Sequence, residues 1–316
     1  MSSLLKYILA ICLGAFIVSY LFFMFINLGL KNQKNDTFPV IRELVNSVEN
    51  HQVIFVGSSL AKNNINPLVY DSINKVNSYN FGYPGAKIEH NLMIIKRYLQ
   101  SNHPAPQKIF IVLEPYVLDS TTEINFPVQY YPYCNDSTIY NFVSKYDPDI
   151  KLVKYFPFIG VSKYNDYLKN LGIMGVLSPN RITSALIKGY EPLDAGSWKV
   201  DAEVARNKTK QIIPTNIKNH NEGLKHLEGI CKACSEKNIQ LVFVLPPVYH
   251  QKSTVNKTSP IAFVAELEPL ITEYNILLID HTQIELSFNK EFYFDWHHLN
   301  SRGAKIYTAI LANETK

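Results

Sequence analysis

The stretch Val53-Ile54-Phe55-Val56-Gly57-Ser58-Ser59 begins as an apolar run and ends in a glycine followed by two hydroxyl residues. A short run of β-branched and aromatic side chains closed by Gly-Ser predicts a buried strand that ends in a tight turn. Open parallel sheets bind their ligands at the carboxyl ends of their strands. Ser59 is therefore the first candidate for a functional hydroxyl, although a serine N-cap of an ordinary helix would look the same.

Short apolar runs and helical stretches alternate along the rest of the chain. Further strands are predicted at 77–81, 109–113, 239–245 and 276–279. Helices are predicted over 88–99, 217–237 and 300–312 and after Ser259-Pro260, and Pro39 opens an amphipathic helix that turns Ile41, Leu44, Val45 and Val48 inward. Strands separated by helices are typical of a parallel sheet covered on both faces. The sequence therefore predicts an α/β protein with three layers.

About a hundred residues, 115–216, separate the third and fourth predicted strands, which is too many for a simple crossover. The segment is rich in tyrosine and phenylalanine with scattered lysines. We interpret it as an inserted, mostly helical subdomain with a small core of its own. It can also serve as a lid or an acceptor groove, because aromatic faces stack on sugar rings.

Residues 7–30 carry no charge and lie between Lys6 and Lys31. At 1.5 Å per residue such a helix is about 36 Å long, enough to cross a bilayer core of ~30 Å with tilt. A cleaved signal peptide is the alternative, but its apolar core is usually shorter and ends in a small-x-small site. We predict a single-pass anchor and tether at 1–38 and a catalytic domain at 39–316. The flanking lysines do not determine the orientation.

Charge and cysteine content exclude several classes of function. The 31 basic and 27 acidic residues leave a net charge of +4 without a long run of one sign, so no nucleic-acid partner is predicted. Four cysteines are too few for a disulfide scaffold. Cys231 and Cys234 lie on one stripe of a predicted helix, which favours core packing over a metal or redox site, and the sequence does not determine their redox state.

The second stretch with chemistry is Asp295-Trp296-His297-His298-Leu299-Asn300. A serine hydroxyl becomes a nucleophile when an imidazole accepts its proton and an acid orients that imidazole. The spacing of Asp295 and His298 allows both side chains to point to one place. We therefore predict Ser59 as nucleophile, His298 as base and Asp295 as orienting acid, which needs neither a metal nor a cofactor. Polar residues that cap the last helix are the alternative.

These motifs resemble those of the SGNH (GDSL-like) hydrolases. Gly57-Ser58-Ser59 is similar to the Gly-Asp-Ser motif, with Ser58 in place of aspartate, and Asp295-x-x-His298 is similar to the terminal Asp-x-x-His. The resemblance covers roughly 50–114 and 239–312 and implies a flavodoxin-like parallel sheet. It also implies an oxyanion hole made by the backbone N–H groups of Ser59 and Gly85.

One position departs from that pattern. The family usually has Gly-x-Asn-Asp after the third strand, and its asparagine completes the oxyanion hole. This chain has Leu113-Glu114-Pro115-Tyr116, and loss of one such donor can cost ~3 kcal/mol of transition-state stabilisation. Efficient bulk hydrolysis is therefore not expected. Glu114, Tyr116 and His297 are weaker candidates for substrate binding.

In its sequence at 113–116 and its predicted anchor, the chain resembles envelope members of the family, such as the D-protein of teichoic-acid D-alanylation and the alginate-acetylation proteins. That resemblance implies a soluble domain outside the cytoplasmic (inner) membrane and a membrane-bound O-acyltransferase as partner. The first hypothesis is an anchored serine esterase or O-acyltransferase that acts on an acyl ester and an envelope polysaccharide. The alternative is a non-catalytic glycan-binding protein or scaffold for the acyltransferase. A lipase is less favoured, because the tyrosine-rich insertion is too polar for an apolar lid.

Overall fold

A five-stranded parallel sheet forms the centre of the protein. The structure, a computed structural model, describes residues 3–34, 37–47, 49–102, 104–179, 186–194, 220–249 and 258–316. The strands are β1 (Val53–Val56), β2 (Ser78–Asn80), β3 (Lys108–Val112), β4 (Gln240–Leu245) and β5 (Leu277–Asp280).

Helices connect and surround these strands. In chain order they are α1 (Ser3–Lys31), α2 (Phe38–Asn46), α3 (Ser59–Asn64), α4 (Pro67–Asn74), α5 (Ile88–Leu99), α6 (Pro115–Leu118), α7 (Ser137–Tyr146), α8 (Asp149–Tyr155), α9 (Pro157–Lys163), α10 (Asp166–Leu177), α11 (Asn221–Ser235), α12 (Thr258–Tyr274) and α13 (Ser301–Glu314). Short 3-10 helices lie at Pro127–Tyr133, Glu285–Phe288 and Lys290–Phe292.

The strand order is β2-β1-β3-β4-β5, which is the flavodoxin-like order. All residues of β1 are buried, as are nearly all of β3 and β4, because helices cover both faces of the sheet. This confirms the predicted α/β fold with a three-layer parallel sheet. The direction of strand order changes between β1 and β3, so the carboxyl ends of these two strands flank the place where such sheets hold ligands.

The predicted element bounds differ from the observed ones by a few residues. The strand predicted at 77–81 is β2, Ser78–Asn80, and the helix predicted at 217–237 is α11, Asn221–Ser235. The described part of 115–216 is mainly helical, as predicted, and contains α6 to α10. Val48, 217–219 and residues 195–216 of the predicted insertion lie outside the described residues.

The chain divides into two compact units. One comprises Leu44–Thr121 and Leu186–Lys316 and contains the sheet. In this unit, Cys231 and Cys234 are buried free cysteines on α11, and burial raises the pKa of each thiol to about 12. Both thiols pack in the core, in agreement with the sequence-based interpretation.

The other unit comprises Met1–Glu43 and Thr122–Ala185. Its helix α1 is long and apolar enough to span a membrane, by length and composition. Side chains from residue 3 to 22 are almost all exposed, and burial begins at Phe23. Beyond that point α1 packs on α10, where Gly29 and Gly172 allow the two backbones to touch. The hydroxyl of Tyr164 donates a 2.6 Å hydrogen bond to the buried Asn27 side chain.

Candidate active site

The turn after β1 presents two adjacent serines in different roles. Ser58 is the N-cap of α3, and its hydroxyl oxygen accepts a hydrogen bond from the backbone N–H of Leu60. Ser59 is the first residue of the helix, so its side chain is not used for capping. The sequence folds this way because Gly57 permits a close turn at the end of a buried strand. The Cβ of any other residue at Gly57 would lie 2.9 Å from Ala61 and Val112.

The loop that precedes α13 is organised around the carboxylate of Asp295. One of its oxygens accepts the backbone N–H groups of His297 and His298, each at 2.7 Å. A bridge between Tyr293 and Leu299 closes the loop, and the side chain of Asn300 caps α13. Asp295 therefore shapes the loop and also orients the imidazole of His298.

Ser59, His298 and Asp295 form a continuous hydrogen-bonded chain. The hydroxyl oxygen of Ser59 lies 2.8 Å from Nε2 of His298. On the other side of the ring, Nδ1 lies 2.9 Å from Oδ2 and 3.1 Å from Oδ1 of Asp295. The two halves of this arrangement are 239 positions apart in the sequence. The geometry matches that of a nucleophile, a base and an orienting acid.

The ionisation of Asp295 determines which atoms carry protons in this hydrogen-bonded chain of three side chains. Burial would raise the pKa of Asp295, but hydrogen bonds from the His298 ring and from two backbone N–H groups outweigh it and lower the pKa to about 2. An ionised carboxylate only accepts hydrogen bonds, so Nδ1 of His298 carries a proton. In the neutral ring Nε2 is then an acceptor, and the Ser59 hydroxyl donates to it. This is the tautomer that a general base needs.

The segment after β2 runs beside the serine turn. Backbone N–H groups of Phe81 and Tyr83 donate to the carbonyls of Phe55 and Gly57. The N–H of Gly82 is committed to the side chain of Asn80 at 2.8 Å. Gly85 has a φ of 69°, a conformation that favours glycine. Within the described ranges, the N–H groups of Ser59 and Gly85 donate to no protein acceptor, and their role as oxyanion donors stays a prediction.

A second polar group lies directly beside the first. Glu114 follows β3, and one carboxylate oxygen accepts the Ser58 hydroxyl at 2.8 Å while the other lies 2.9 Å from Nε2 of His297. The rings of His297 and His298 are stacked, with centroids 5.3 Å apart. Burial would raise the pKa of Glu114, but its hydrogen bonds to His297 and Ser58 and the nearby imidazoles bring the pKa below its usual value.

Tyr116, at the start of α6, is half exposed and has the ammonium group of Lys87 3.1 Å from the centre of its ring. The structure thus places Glu114 in contact with His297 and with Ser58 of the serine turn, and Tyr116 is half exposed with Lys87 over its ring. Substrate binding by these three residues stays a prediction.

Two buried asparagines position the site and were not singled out from the sequence. Asn64, at the end of α3, accepts the backbone N–H of Leu299 at 2.9 Å and so joins the helix of the serine to the loop of the histidine. Asn80 donates to the carbonyls of Ala61 and Ile65, at the two ends of the same helix. Both asparagines stand among other polar residues in the sequence, at 62–66 and 77–81, so no sequence signal marks them as buried or predicts their partners.

Comparison with known proteins identifies no family for the chain. No protein-family model and no curated protein matches it. Among solved structures, one similar chain is a protein from Desulfitobacterium hafniense DCB-2 that is assigned to the lipolytic G-D-S-L family. The TM-score is 0.39 and the identity is 10%, over 84% of this chain and 99% of that chain. A likeness at this level does not bear on the chemistry, so the interpretation of the site rests on its own geometry.

Proposed function

We propose that the protein is a serine-dependent acyl-transfer enzyme, either an esterase or an O-acyltransferase. The observation that carries the proposal is the hydrogen-bonded chain from the Ser59 hydroxyl through His298 to Asp295. Its position at the carboxyl end of β1, beside the change in strand order, supports a ligand site at the same place.

The proposed reaction begins with transfer of the Ser59 proton to Nε2 of His298 as Oγ attacks the carbonyl carbon of an acyl ester. Asp295 stabilises the imidazolium that forms, and the N–H groups of Ser59 and Gly85 stabilise the developing oxyanion. The tetrahedral intermediate collapses, the C–O bond to the leaving alcohol breaks, and His298 returns its proton to that oxygen. The acyl group is then an ester of Ser59.

The second half of the reaction determines whether the enzyme is a hydrolase or a transferase. Water attacking the acyl-Ser59 ester gives an esterase, and a sugar hydroxyl gives a transferase. In either case His298 takes a proton from the attacking group and returns it to Oγ of Ser59 as the bond between the acyl carbon and that oxygen breaks. We favour transfer to an envelope polysaccharide, because a protein anchored in the membrane would stay next to such an acceptor. The exposed apolar residues 3–22 of α1, about 30 Å long, support a membrane anchor.

In this proposal the protein is a single-pass protein of the cytoplasmic membrane, its catalytic unit lies outside the cytoplasm, and a membrane-bound O-acyltransferase supplies the acyl group. Tyr116, half exposed at the start of α6, is the proposed contact for the acceptor. A non-catalytic protein that binds glycan or holds the acyltransferase is the second candidate. The anionic Glu114 beside the serine turn favours it, since a negative charge opposes the formation of an oxyanion.

Labelling with a fluorophosphonate decides between the two candidates. An activated serine reacts covalently, and mass spectrometry of the adduct should identify Ser59 and not its neighbour Ser58. Ser59→Ala should abolish labelling, while its circular dichroism and melting temperature stay those of the parent. The absence of labelling in the intact protein would remove the enzyme hypothesis.

A partition experiment separates hydrolysis from transfer. The purified full-length protein would be given an activated acetyl ester with and without an oligosaccharide acceptor. We expect acetylated oligosaccharide and little free acetate. Release of acetate alone, at a rate that the acceptor does not change, would indicate an esterase.

A further inference from the structure

Glu114 connects the immediate neighbours of the two residues that would carry the reaction. Ser58 precedes Ser59, and His297 precedes His298, and the Glu114 carboxylate bonds to both of these neighbours at 2.8 and 2.9 Å. The Glu114 side chain is only 15% exposed. It lies at the N-cap position of α6 but does not cap that helix. Its hydrogen bonds go instead to the turn after β1 and the loop before α13.

Chemistry assigns a direction to each of these bonds. An ionised carboxylate only accepts, so the Ser58 hydroxyl and Nε2–H of His297 are both donors. The oxygen of Ser58 also accepts the N–H of Leu60. Ser58 therefore has its proton and a lone pair in use and does not compete with Ser59 as a nucleophile. Among the described residues the Ser58 hydroxyl bonds to Glu114 and Leu60, and His297 donates to Glu114, so Ser58, His297 and Glu114 do not form a second triad.

We propose that Glu114 is a positioning residue that ties the serine turn to the histidine loop. This inference rests on the proposed function and deepens it. The tie holds Ser59 and His298 at reacting distance through their neighbours Ser58 and His297. The groups that contact His298 are Asp295, Ser59 and the stacked His297 ring, and the His297 ring is itself held by Glu114.

Two substitutions separate the tie from the charge. Glu114→Ala removes both, and it leaves the buried Ser58 hydroxyl and the partly buried ring N–H of His297 without an acceptor. Glu114→Gln removes only the charge, because the amide oxygen can accept from Ser58 and the amide N–H can donate to the other tautomer of His297. Glu266→Gln is the matched control, since Glu266 pairs with His220 at 2.6 Å in another glutamate–histidine contact of the same unit.

The first measurement is the rate of fluorophosphonate labelling of the full-length protein against pH. We expect Glu114→Ala to label at least about tenfold more slowly than the parent at every pH. Glu114→Gln should label within about threefold of the parent at every pH, because its amide group can keep both contacts. Glu266→Gln should leave rate and profile unchanged.

The second measurement does not depend on catalysis. NMR at one fixed pH, with histidine labelled at Cε1, should show the His298 signal displaced in Glu114→Ala and closer to its parental position in Glu114→Gln, because only the alanine variant loses both contacts. A Glu114→Ala variant with a parental His298 signal overturns the inference, and so does one that labels at the parental rate. If the parent itself is not labelled, the proposed function fails, and the position of the His298 signal alone then decides the role of Glu114.

Discussion

Substitution of Asn64 by alanine tests whether the two halves of the site are held together by a single buried hydrogen bond. Asn64 is fully buried, and its side-chain oxygen is the acceptor for the backbone N–H of Leu299, which directly follows His298. Asn64→Ala leaves that buried N–H unpaired, at a cost of about 1–3 kcal/mol. The Asn64 amide nitrogen has no partner among the described residues, so removing it recovers part of this cost.

The expected net loss is about 2 kcal/mol of unfolding free energy, which lowers the melting temperature by about 4–8 °C. If the loop conformation that places His298 against Ser59 loses the same free energy, the labelling rate of Ser59 falls by up to about 30-fold. The assay compares fluorophosphonate labelling and thermal unfolding of the purified full-length protein with and without the substitution.

The neighbouring residue supplies a matched control. Asn63 is also buried, but the hydrogen bond of its side chain goes to the carbonyl of Glu191 at 3.0 Å and not to the histidine loop. Asn63→Ala should lower the melting temperature and keep labelling within about threefold of the parent. Equal loss of labelling in the two variants would refute the reasoning, as would an Asn64→Ala protein with parental stability and labelling.

Three further predictions concern other residues. Asp295→Asn should slow labelling by about 10³-fold or more, because the histidine loses its orienting acceptor. The folded state lowers the Asp295 pKa from 3.8 to about 2. The ionised carboxylate therefore stabilises the folded state above pH 3.8, and this stabilisation is lost as the pH falls through 2. Because the Asp295 side chain is 36% exposed, screening by solvent limits its contribution to the free energy of unfolding to about 1 kcal/mol. In urea unfolding, Asp295→Asn should therefore lose less stability on acidification than the parent. Iodoacetamide should modify Cys231 and Cys234 only after unfolding, as peptide mapping would show, since burial raises the pKa of both thiols. Tyr164→Phe should cost about 1–2 kcal/mol in thermal unfolding because Asn27 loses its buried donor, and parental stability would contradict that contact.

The sheet could be predicted because its strands are buried on both faces. Such strands appear in a sequence as short apolar runs, and β1, β3 and β4 were predicted close to their observed bounds. β2 was predicted longer than its three residues because no change in composition over 77–81 marks where strand pairing stops. The contact of Gly29 with Gly172 could not be predicted, because small residues in two distant helices give no periodic signal.

The site was only partly visible in the sequence. Ser59, Asp295 and His298 could be proposed together because nucleophile, base and acid are a recognisable combination at the ends of strands. Glu114 was predicted to bind substrate, and it also lies at the end of a strand, because it follows β3. Its actual partners, Ser58 and His297, could not be inferred, because side-chain pairing between distant segments depends on the finished packing. The same holds for Asn64 and Leu299.

The long separation between Ser59 and His298 has a consequence for biosynthesis. A ribosome that has made β1 and α3 has produced the serine, but the imidazole that would activate it is 239 residues away. Contacts of such high sequence separation form late, after the intervening strands have paired. A nascent or truncated chain that ends before His298 therefore carries an ordinary, unreactive hydroxyl, and it stays inert toward activated esters until synthesis and folding are complete.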